Sequence, residues 1–188
     1  MNLTRTRRSA IALGGLAFAA AAHAQGADKL KVGLMLPYSG TFTALGMAIE
    51  NGFRLYVNEQ GGKLAAREIE FVKVDDESDP AKATENVNKL IRRDKVDVIV
   101  GTVHSGVAMA MARAAKESNT LLIVPNAGSD AVTGQMCATN IFRSSFSNWQ
   151  SSYGMGTVAA TQEKKKTAIT ITWKYAAGDE MARGFKEA

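Results

Sequence analysis

Short apolar runs alternate with helix-forming segments through most of the chain, and this alternation constrains the fold more than any other feature. Four runs rich in Val, Ile and Leu are typical of strands: residues 30–37, 69–74, 96–100 and 121–124. The segments between them repeat apolar residues every three or four positions, as helices with one buried face do. Such repeated strand–helix units form parallel sheets with right-handed crossovers. We therefore expect an α/β fold in three layers, a parallel sheet covered by helices on both faces.

Local signals set the predicted helix boundaries. A first helix over about residues 44–60 should end at Gly61 and Gly62. Asp79 can cap a second helix that carries Pro80 in its first turn. The acidic group around it, Asp75, Asp76 and Glu77, lacks calcium-loop spacing, so we expect a solvated strand end.

The first 24 residues have the layout of an export signal. Three arginines precede an apolar run that ends in Ala22, His23 and Ala24, a small-x-small cleavage site. We expect a mature chain that begins at Gln25 in the periplasm, by the general or the twin-arginine route. Removal of these three arginines leaves 20 basic residues against 18 acidic ones, so the basic character gives no argument for nucleic acid.

The rhythm changes after residue 140. Residues 141–143 form a short extended piece, residues 148–162 and 178–188 have helical character, and residues 168–173 form an expected strand. One strand between two helices is too little to close a core. We therefore expect a signal peptide at 1–24, a complete N-terminal lobe at 25–143, and the incomplete beginning of a second lobe at 144–188.

The third strand runs into a glycine-loosened loop, residues 101–106, and then a helix of small residues. Ligands of open α/β sheets bind at such a place, where backbone N–H groups at a helix start and the Ser105 hydroxyl can hold an anion. Neither a phosphate-loop lysine nor a G-x-G-x-x-G pattern occurs here, which disfavours a nucleotide.

Nothing in the sequence predicts catalysis, a cofactor or a metal. His104 is the only histidine after the expected cleavage site, and a lone histidine makes no metal site. The single cysteine, Cys137, is a small buried residue, the partner of a cysteine outside this chain, or a reactive thiol without an activating base.

Five short motifs occur in an order known from one family. They are Lys31-Val32-Gly33-Leu34 before Tyr38-Ser39-Gly40, the acidic stretch 74–78, Val100-Gly101 with Ser105, Pro125-Asn126-Ala127-Gly128, and Phe142-Arg143-Ser144. Together they resemble the periplasmic substrate-binding proteins of branched-chain amino-acid-type ABC transporters, of the leucine-binding-protein-like family. The resemblance spans about residues 29–188 and implies the type I periplasmic binding fold, whose two lobes close on a ligand.

The resemblance implies roles for the residues that match. Ser105 is similar to the serine that meets the ligand carboxylate, although a helix cap would also explain a serine there. Asn126, Ala127 and Gly128 would present backbone to the same cavity. Ala127 resembles the position whose carbonyl receives an ammonium group in amino-acid binders, and Gly128 stands where Thr or Ser is frequent.

Aromatic residues would complete the cavity. Tyr38 and Phe42 wall the site or pack under their loop, and Trp149 is a pocket wall or core. Tyr175 resembles the tyrosine that closes over the ligand, with an exposed loop position as the alternative. His104 adjoins Ser105 and could face the ligand.

We expect a monomeric solute-binding protein that delivers a small ligand to a membrane ABC permease. Ligand-sensing for a membrane receptor and an exported α/β enzyme are the alternatives. Gly128 and the aromatic residues favour a flat or apolar ligand body. We therefore weigh aromatic carboxylates level with branched aliphatic amino acids, because both kinds of ligand occur among the proteins that this chain resembles.

Overall fold

One six-stranded sheet organises the computed structural model, which describes residues 29–188. The strand order is β2-β3-β1-β4-β5-β6. The strands are β1 (Leu30–Leu36), β2 (Lys63–Leu64), β3 (Arg67–Asp75), β4 (Val98–Val100), β5 (Leu121–Val124) and β6 (Ile141–Arg143). All neighbours pair in parallel except β2, which forms an antiparallel hairpin with β3. The predicted signal peptide and the predicted start at Gln25 lie outside the described residues.

Helices follow most of the strands. They are α1 (Thr43–Glu59), α2 (Pro80–Asn88), α3 (Ser105–Ser118), α4 (Asp130–Thr133), α5 (Asn148–Thr157) and α6 (Ala176–Glu187). The turns Lys89–Arg93 and Val158–Gln162 continue α2 and α5 as π-helix. The Asp79 side chain accepts the Ala81 N–H at 2.8 Å, which confirms the predicted cap of α2.

Side chains that alternate along β1 divide the core between the two faces of the sheet. Met35 belongs to a cluster with α2 and α3, which includes Val87, Leu90, Val107 and Met111. Val32, Leu34 and Leu36 point the other way, where Ile49 and Phe53 of α1 cover them. Helices therefore lie on both faces of a mostly parallel sheet, and the predicted α/β fold class is confirmed.

The strand order creates a crevice at one edge of the sheet. β1 pairs with β3 on one side and with β4 on the other. Helix α1 follows β1 and helix α3 follows β4, and these two helices cover opposite faces of the sheet. The loops after β1 and β4 thus diverge at their carboxyl ends, which is where open α/β sheets bind ligands. This edge positions the candidate site.

The predicted strand over residues 168–173 does not form. Ile169 is 92% exposed and Ile171 is 93% exposed. Within residues 29–188 no strand pairs with this segment, and an extended segment needs neighbours to satisfy its backbone and cover its apolar side. The same described range contains no helix long and apolar enough to cross a bilayer.

One local expectation was wrong, and one of the three alternatives for Cys137 is excluded. Asp76 is fully buried rather than solvated, because its carboxylate accepts the Thr102 hydroxyl and, at 2.7 Å, the Ser78 N–H. Cys137 is exposed rather than buried, since the turn after α4 carries it at the surface.

Candidate functional site

The loop after β4 carries the start of α3 into the crevice. Gly101 begins this loop, and any Cβ there would overlap the Met35 carbonyl oxygen of the neighbouring strand. Glycine therefore allows β1 and the loop to pack without a gap. The chain then reaches His104 and Ser105, which sit at the first turn of α3.

His104, not Ser105, caps this helix. The His104 Nδ1 atom accepts the backbone N–H of Gly106 at 3.1 Å, and His104 occupies the cap position. Ser105 is the first residue inside the helix and is 2% exposed. Capping therefore does not explain the serine, and its hydroxyl is available for another role.

A series of hydrogen bonds links Ser105 through Asn148 to Glu180 in α6. Asn148 Nδ2 donates to Ser105 Oγ at 3.3 Å and to Glu180 Oε2 at 2.6 Å. The other oxygen of Glu180 accepts from Ser129 Oγ at 3.2 Å and from the Asp130 N–H at 3.1 Å. Asn148 is only 4% exposed. Through Asn148, these hydrogen bonds connect α5 to both α3 and α6.

Gly128 is required by the same arrangement. A Cβ at this position would overlap Asn148 Oδ1 and lie 2.9 Å from Asn148 Cγ. The Gly128 carbonyl also accepts the Asn148 N–H at 2.7 Å. A threonine or serine at position 128 would therefore compete with Asn148 for space. In this chain the Asn148 amide occupies that space and bonds to Ser105.

Two aromatic rings contact His104, the residue before Ser105. The His104 and Tyr175 rings lie 4.8 Å apart between centroids, and those of Phe42 and His104 lie 6.3 Å apart. Phe42 comes from the loop after β1, and Tyr175 precedes α6. Centroid distances in this range are those of interacting aromatic pairs. The crevice thus joins a polar anchor to an aromatic wall.

The surroundings of His104 favour its neutral form. Burial lowers the pKa of the imidazole, while the negative charges of Asp76 and Asp79 oppose that shift. A neutral ring whose Nδ1 accepts a hydrogen bond carries its proton on Nε2. His104 can therefore donate one hydrogen bond from Nε2.

The loop after β5 forms the remaining backbone of the crevice. Ala127 is 1% exposed and its N–H donates to the Thr102 carbonyl at 3.0 Å. Asn126 is half-buried in front of it. This bond ties the loop after β5 to the loop after β4, which leads to Ser105.

Tyr38 lies apart from the three rings. It packs with the cluster under α1, and Lys73 Nζ stands 4.2 Å from the centre of its ring. Its hydroxyl is buried against Glu50, and burial followed by that negative charge raises the pKa of Tyr38. Burial disfavours ionised Glu50, but hydrogen bonds from Lys73 at 2.8 Å and Arg54 at 2.7 Å lower its pKa to about 2. Tyr38 packs under its loop.

Trp149 also points elsewhere. Its ring stacks on Tyr153 with centroids 4.5 Å apart, and its Nε1 donates to Glu187 Oε2 at 2.5 Å. It lines a separate polar cavity of about 540 Å³ together with Asp130, Arg143 and Arg183. Of the nine predicted residues, contacts around the start of α3 link Ser105, His104, Phe42, Tyr175, Ala127 and Gly128, and Asn126 adjoins Ala127 in the chain. Tyr38 and Trp149 contact other residues.

Sequence reasoning missed Asn148 and Glu180. Asn148 follows Ser147, whose side chain and that of Gln150 form a capping box. That signal predicts a helix start but no site. Glu180 is one of several acidic residues on α6, and only the packing of α6 on α5 brings it to Asn148.

Known proteins share this sequence and architecture. The sequence profile of the family described as periplasmic binding protein matches residues 29–188. A curated relative, Leu/Ile/Val-binding protein homolog 6 of Brucella abortus (strain 2308), is 32% identical over 180 residues, which is 95% of this chain and 45% of the relative. Leu/Ile/Val-binding protein BraC3 of Rhizobium johnstonii is 27% identical over 186 residues, 98% of this chain and 49% of that protein. The chain spans about half the length of these curated relatives.

Solved structures give the same result. An ABC transporter solute-binding protein from R. palustris, in complex with benzoate, is 58% identical with a TM-score of 0.82, covering 85% of this chain and 44% of its own. One from Rhodopseudomonas palustris BisB5, in complex with 3,4-dihydroxybenzoic acid, is 35% identical with a TM-score of 0.77, covering 85% and 43%. A branched-chain amino acid binding protein from Streptococcus pneumoniae, in complex with isoleucine, is 26% identical with a TM-score of 0.73, covering 85% and 46%.

Proposed function

The chain belongs to the periplasmic binding protein family, as its motifs predicted, and we propose that it captures a small aromatic carboxylate for an ABC uptake system. One observation carries this proposal: the rings of Phe42 and Tyr175 both contact the ring of His104, the residue that directly precedes the buried Ser105. Membership of a family of binding proteins supports the expectation that the chain is not an enzyme.

The polar end of the crevice suits a carboxylate. The Ser105 hydroxyl lies in the first turn of α3, a helix of 14 residues whose amino end carries positive partial charge. His104 adds an N–H donor on the preceding residue. A carboxylate accepts hydrogen bonds only, so donors from Ser105 and His104 match its two oxygens.

The aromatic wall suits a flat ligand. Benzoate would place its ring against Tyr175 and His104 while its carboxylate reaches Ser105, and stacked or edge-on aromatic pairs favour such a body over an aliphatic one. The relative that is 58% identical is in complex with benzoate, and another that is 35% identical is in complex with 3,4-dihydroxybenzoic acid. Both relatives support the aromatic class.

Branched-chain amino acids are the second candidate, because α6 brings a carboxylate near Ser105. The ammonium group of an amino acid needs an acidic partner, and Glu180 is one. However, Glu180 already accepts three hydrogen bonds, from Asn148, Ser129 and Asp130. Three of the roughly four acceptor sites of this carboxylate are therefore occupied within the protein, so we rank amino acids second.

The proposal also covers the location of the protein and its partner. We infer that the protein works in the periplasm as a monomer and delivers its ligand to a membrane permease. The family match and the predicted signal peptide support this proposal. N-terminal sequencing of the protein from a periplasmic fraction should give Gln25 as its first residue, whereas a chain that begins at Met1 in the cytoplasm would contradict it.

A thermal-shift screen of the full native chain tests the ligand class. A ligand at 100 times its dissociation constant adds about 2.7 kcal/mol to the free energy of unfolding. We expect benzoate and 4-hydroxybenzoate to raise the melting temperature, and leucine, isoleucine and valine to leave it unchanged. Shifts with the amino acids alone would overturn the aromatic assignment.

A further inference from the structure

We propose that Asn148, oriented by Glu180, is a positioning residue that turns the Ser105 hydroxyl toward a bound anion and so selects carboxylates over neutral analogues. This inference rests on the proposed function and adds the source of its charge selectivity. It starts from the hydrogen bonds that Asn148 Nδ2 makes to Ser105 at 3.3 Å and to Glu180 at 2.6 Å.

Glu180 determines which way the Asn148 amide faces. A carboxylate only accepts hydrogen bonds, so the amide must turn its NH₂ group toward Glu180. The reversed amide would place Oδ1 against a carboxylate oxygen and lose a charge-assisted bond. Glu180 itself is fixed on its other oxygen by Ser129 and Asp130. The orientation of the amide is therefore set from outside the crevice.

The oriented amide in turn determines what Ser105 can offer. The NH₂ group has two hydrogens, of which one goes to Glu180 and the other to Ser105 Oγ. With its oxygen accepting from Asn148, the hydroxyl directs its single O–H elsewhere. A ligand therefore meets a donor at Ser105, which suits an anion and does not suit a group that only donates.

The amide also separates two negative charges. Glu180 would repel a ligand carboxylate that lay directly beside it. Asn148 stands between Glu180 and Ser105 as a neutral group, and it is 4% exposed, so the separation is made by the protein itself. Gly128 leaves the room that this arrangement needs, because a Cβ there would overlap Asn148 Oδ1.

The test compares benzoate with benzamide, a neutral ligand of nearly the same shape, by calorimetric titration of the full native chain. Asn148→Asp keeps the size of the side chain but replaces the donor with an acceptor. We expect it to weaken benzoate binding by about a hundredfold, through the lost donor and the added negative charge, and to weaken benzamide binding by about tenfold or less. A merely structural role would reduce both affinities equally.

A second variant separates folding from binding. In the double variant Asn148→Asp with Glu180→Gln, the new amide at position 180 can donate to the new carboxylate at position 148, which restores the internal bond without restoring a donor to Ser105. We expect its melting temperature to recover while its preference for benzoate over benzamide stays lost. Asn88→Ala removes an amide at the far end of α2, where the side chain bonds to the Thr84 carbonyl, and should leave both affinities unchanged.

The outcomes distinguish the two proposals. If the wild-type chain binds neither ligand, the proposed function fails and this inference fails with it. If the wild-type chain binds benzoate, but Asn148→Asp and the double variant retain its preference over benzamide, the proposed function stands and the positioning role of Asn148 is overturned.

Discussion

The imidazole of His104 lies 4.8 Å from the ring of Tyr175, centroid to centroid, and this contact joins the start of α3 to the start of α6. His104 caps the helix that carries Ser105, so Tyr175 packs directly against the residue that precedes the proposed anion anchor. Burial raises the pKa of the Tyr175 hydroxyl, which keeps it a neutral donor.

The first prediction concerns Tyr175. Replacement by alanine should weaken benzoate binding about tenfold, because the ligand loses one aromatic neighbour worth about 1 kcal/mol or more. Tyr175→Phe keeps the ring and should bind nearly as the wild type does. Tyr56→Ala, on a tyrosine of α1 that is 55% exposed, serves as the control and should have no effect on affinity. Calorimetric titration measures all three, and equal affinities throughout would remove Tyr175 from the site.

The second prediction separates anchoring from capping at the start of α3. Ser105→Ala should weaken benzoate binding by about 1 to 2 kcal/mol, since it removes one hydrogen bond to a charged group. It should also lower the free energy of unfolding by about 1 to 3 kcal/mol, because it leaves an Asn148 N–H without its acceptor, whereas His104→Ala removes the helix cap and costs about 1 kcal/mol. Ser118→Ala, at the other end of α3, is the matched control. An unchanged affinity in Ser105→Ala would reduce Ser105 to a packing role.

The third prediction follows from the lowered pKa of His104. The folded protein binds fewer protons at this ring than the unfolded chain, whose histidine pKa is about 6.5. The stability from the neutral ring is therefore complete above that pH and is lost as the pH falls through the lower pKa of the folded state. His104→Asn keeps a capping oxygen without a titrating group. Between about pH 7.5 and about pH 5, its melting temperature should fall less than that of the wild type; parallel falls would contradict the assignment.

The fourth prediction tests the close packing of Gly128 and Asn148. Gly128→Ala should lower the free energy of unfolding by about 1 to 3 kcal/mol, because the added methyl group overlaps the Asn148 side chain. In an Asn148→Ala background the same change should cost much less. Gly52→Ala, on α1 with open space around it, should instead stabilise the chain by about 0.5 to 1 kcal/mol. Denaturant unfolding measures each, and additive effects of the first two changes would show that the residues do not meet.

The sequence predicted much of the fold because the signals that define it are local. Apolar runs and helix caps placed β1, β3, β4 and β5 and the start of α2 within a few residues. Residues 168–173 have the same apolar pattern, yet they are not a strand here, because a strand also depends on neighbours that a local pattern does not reveal.

In the candidate site, too, local sequence signals predicted some residues, whereas residues that depend on distant contacts were missed. Ser105 and His104 were predictable because a strand, a glycine and a helix start are adjacent in the sequence. Asn148 and Glu180 were not, since each depends on a contact between residues far apart in the chain. Tyr38 belongs to the loop after β1, as predicted, but its ring contacts Lys73, whose ammonium group pairs with the buried Glu50.

A crystal structure of the full native chain with benzoate tests the central claim most directly. We predict that a carboxylate oxygen of the ligand lies within about 3 Å of Ser105 Oγ, and that its ring centre lies about 4.5 to 7 Å from that of Tyr175. Benzoate bound elsewhere, for example in the cavity beside Trp149, with the crevice at Ser105 empty, would contradict the account.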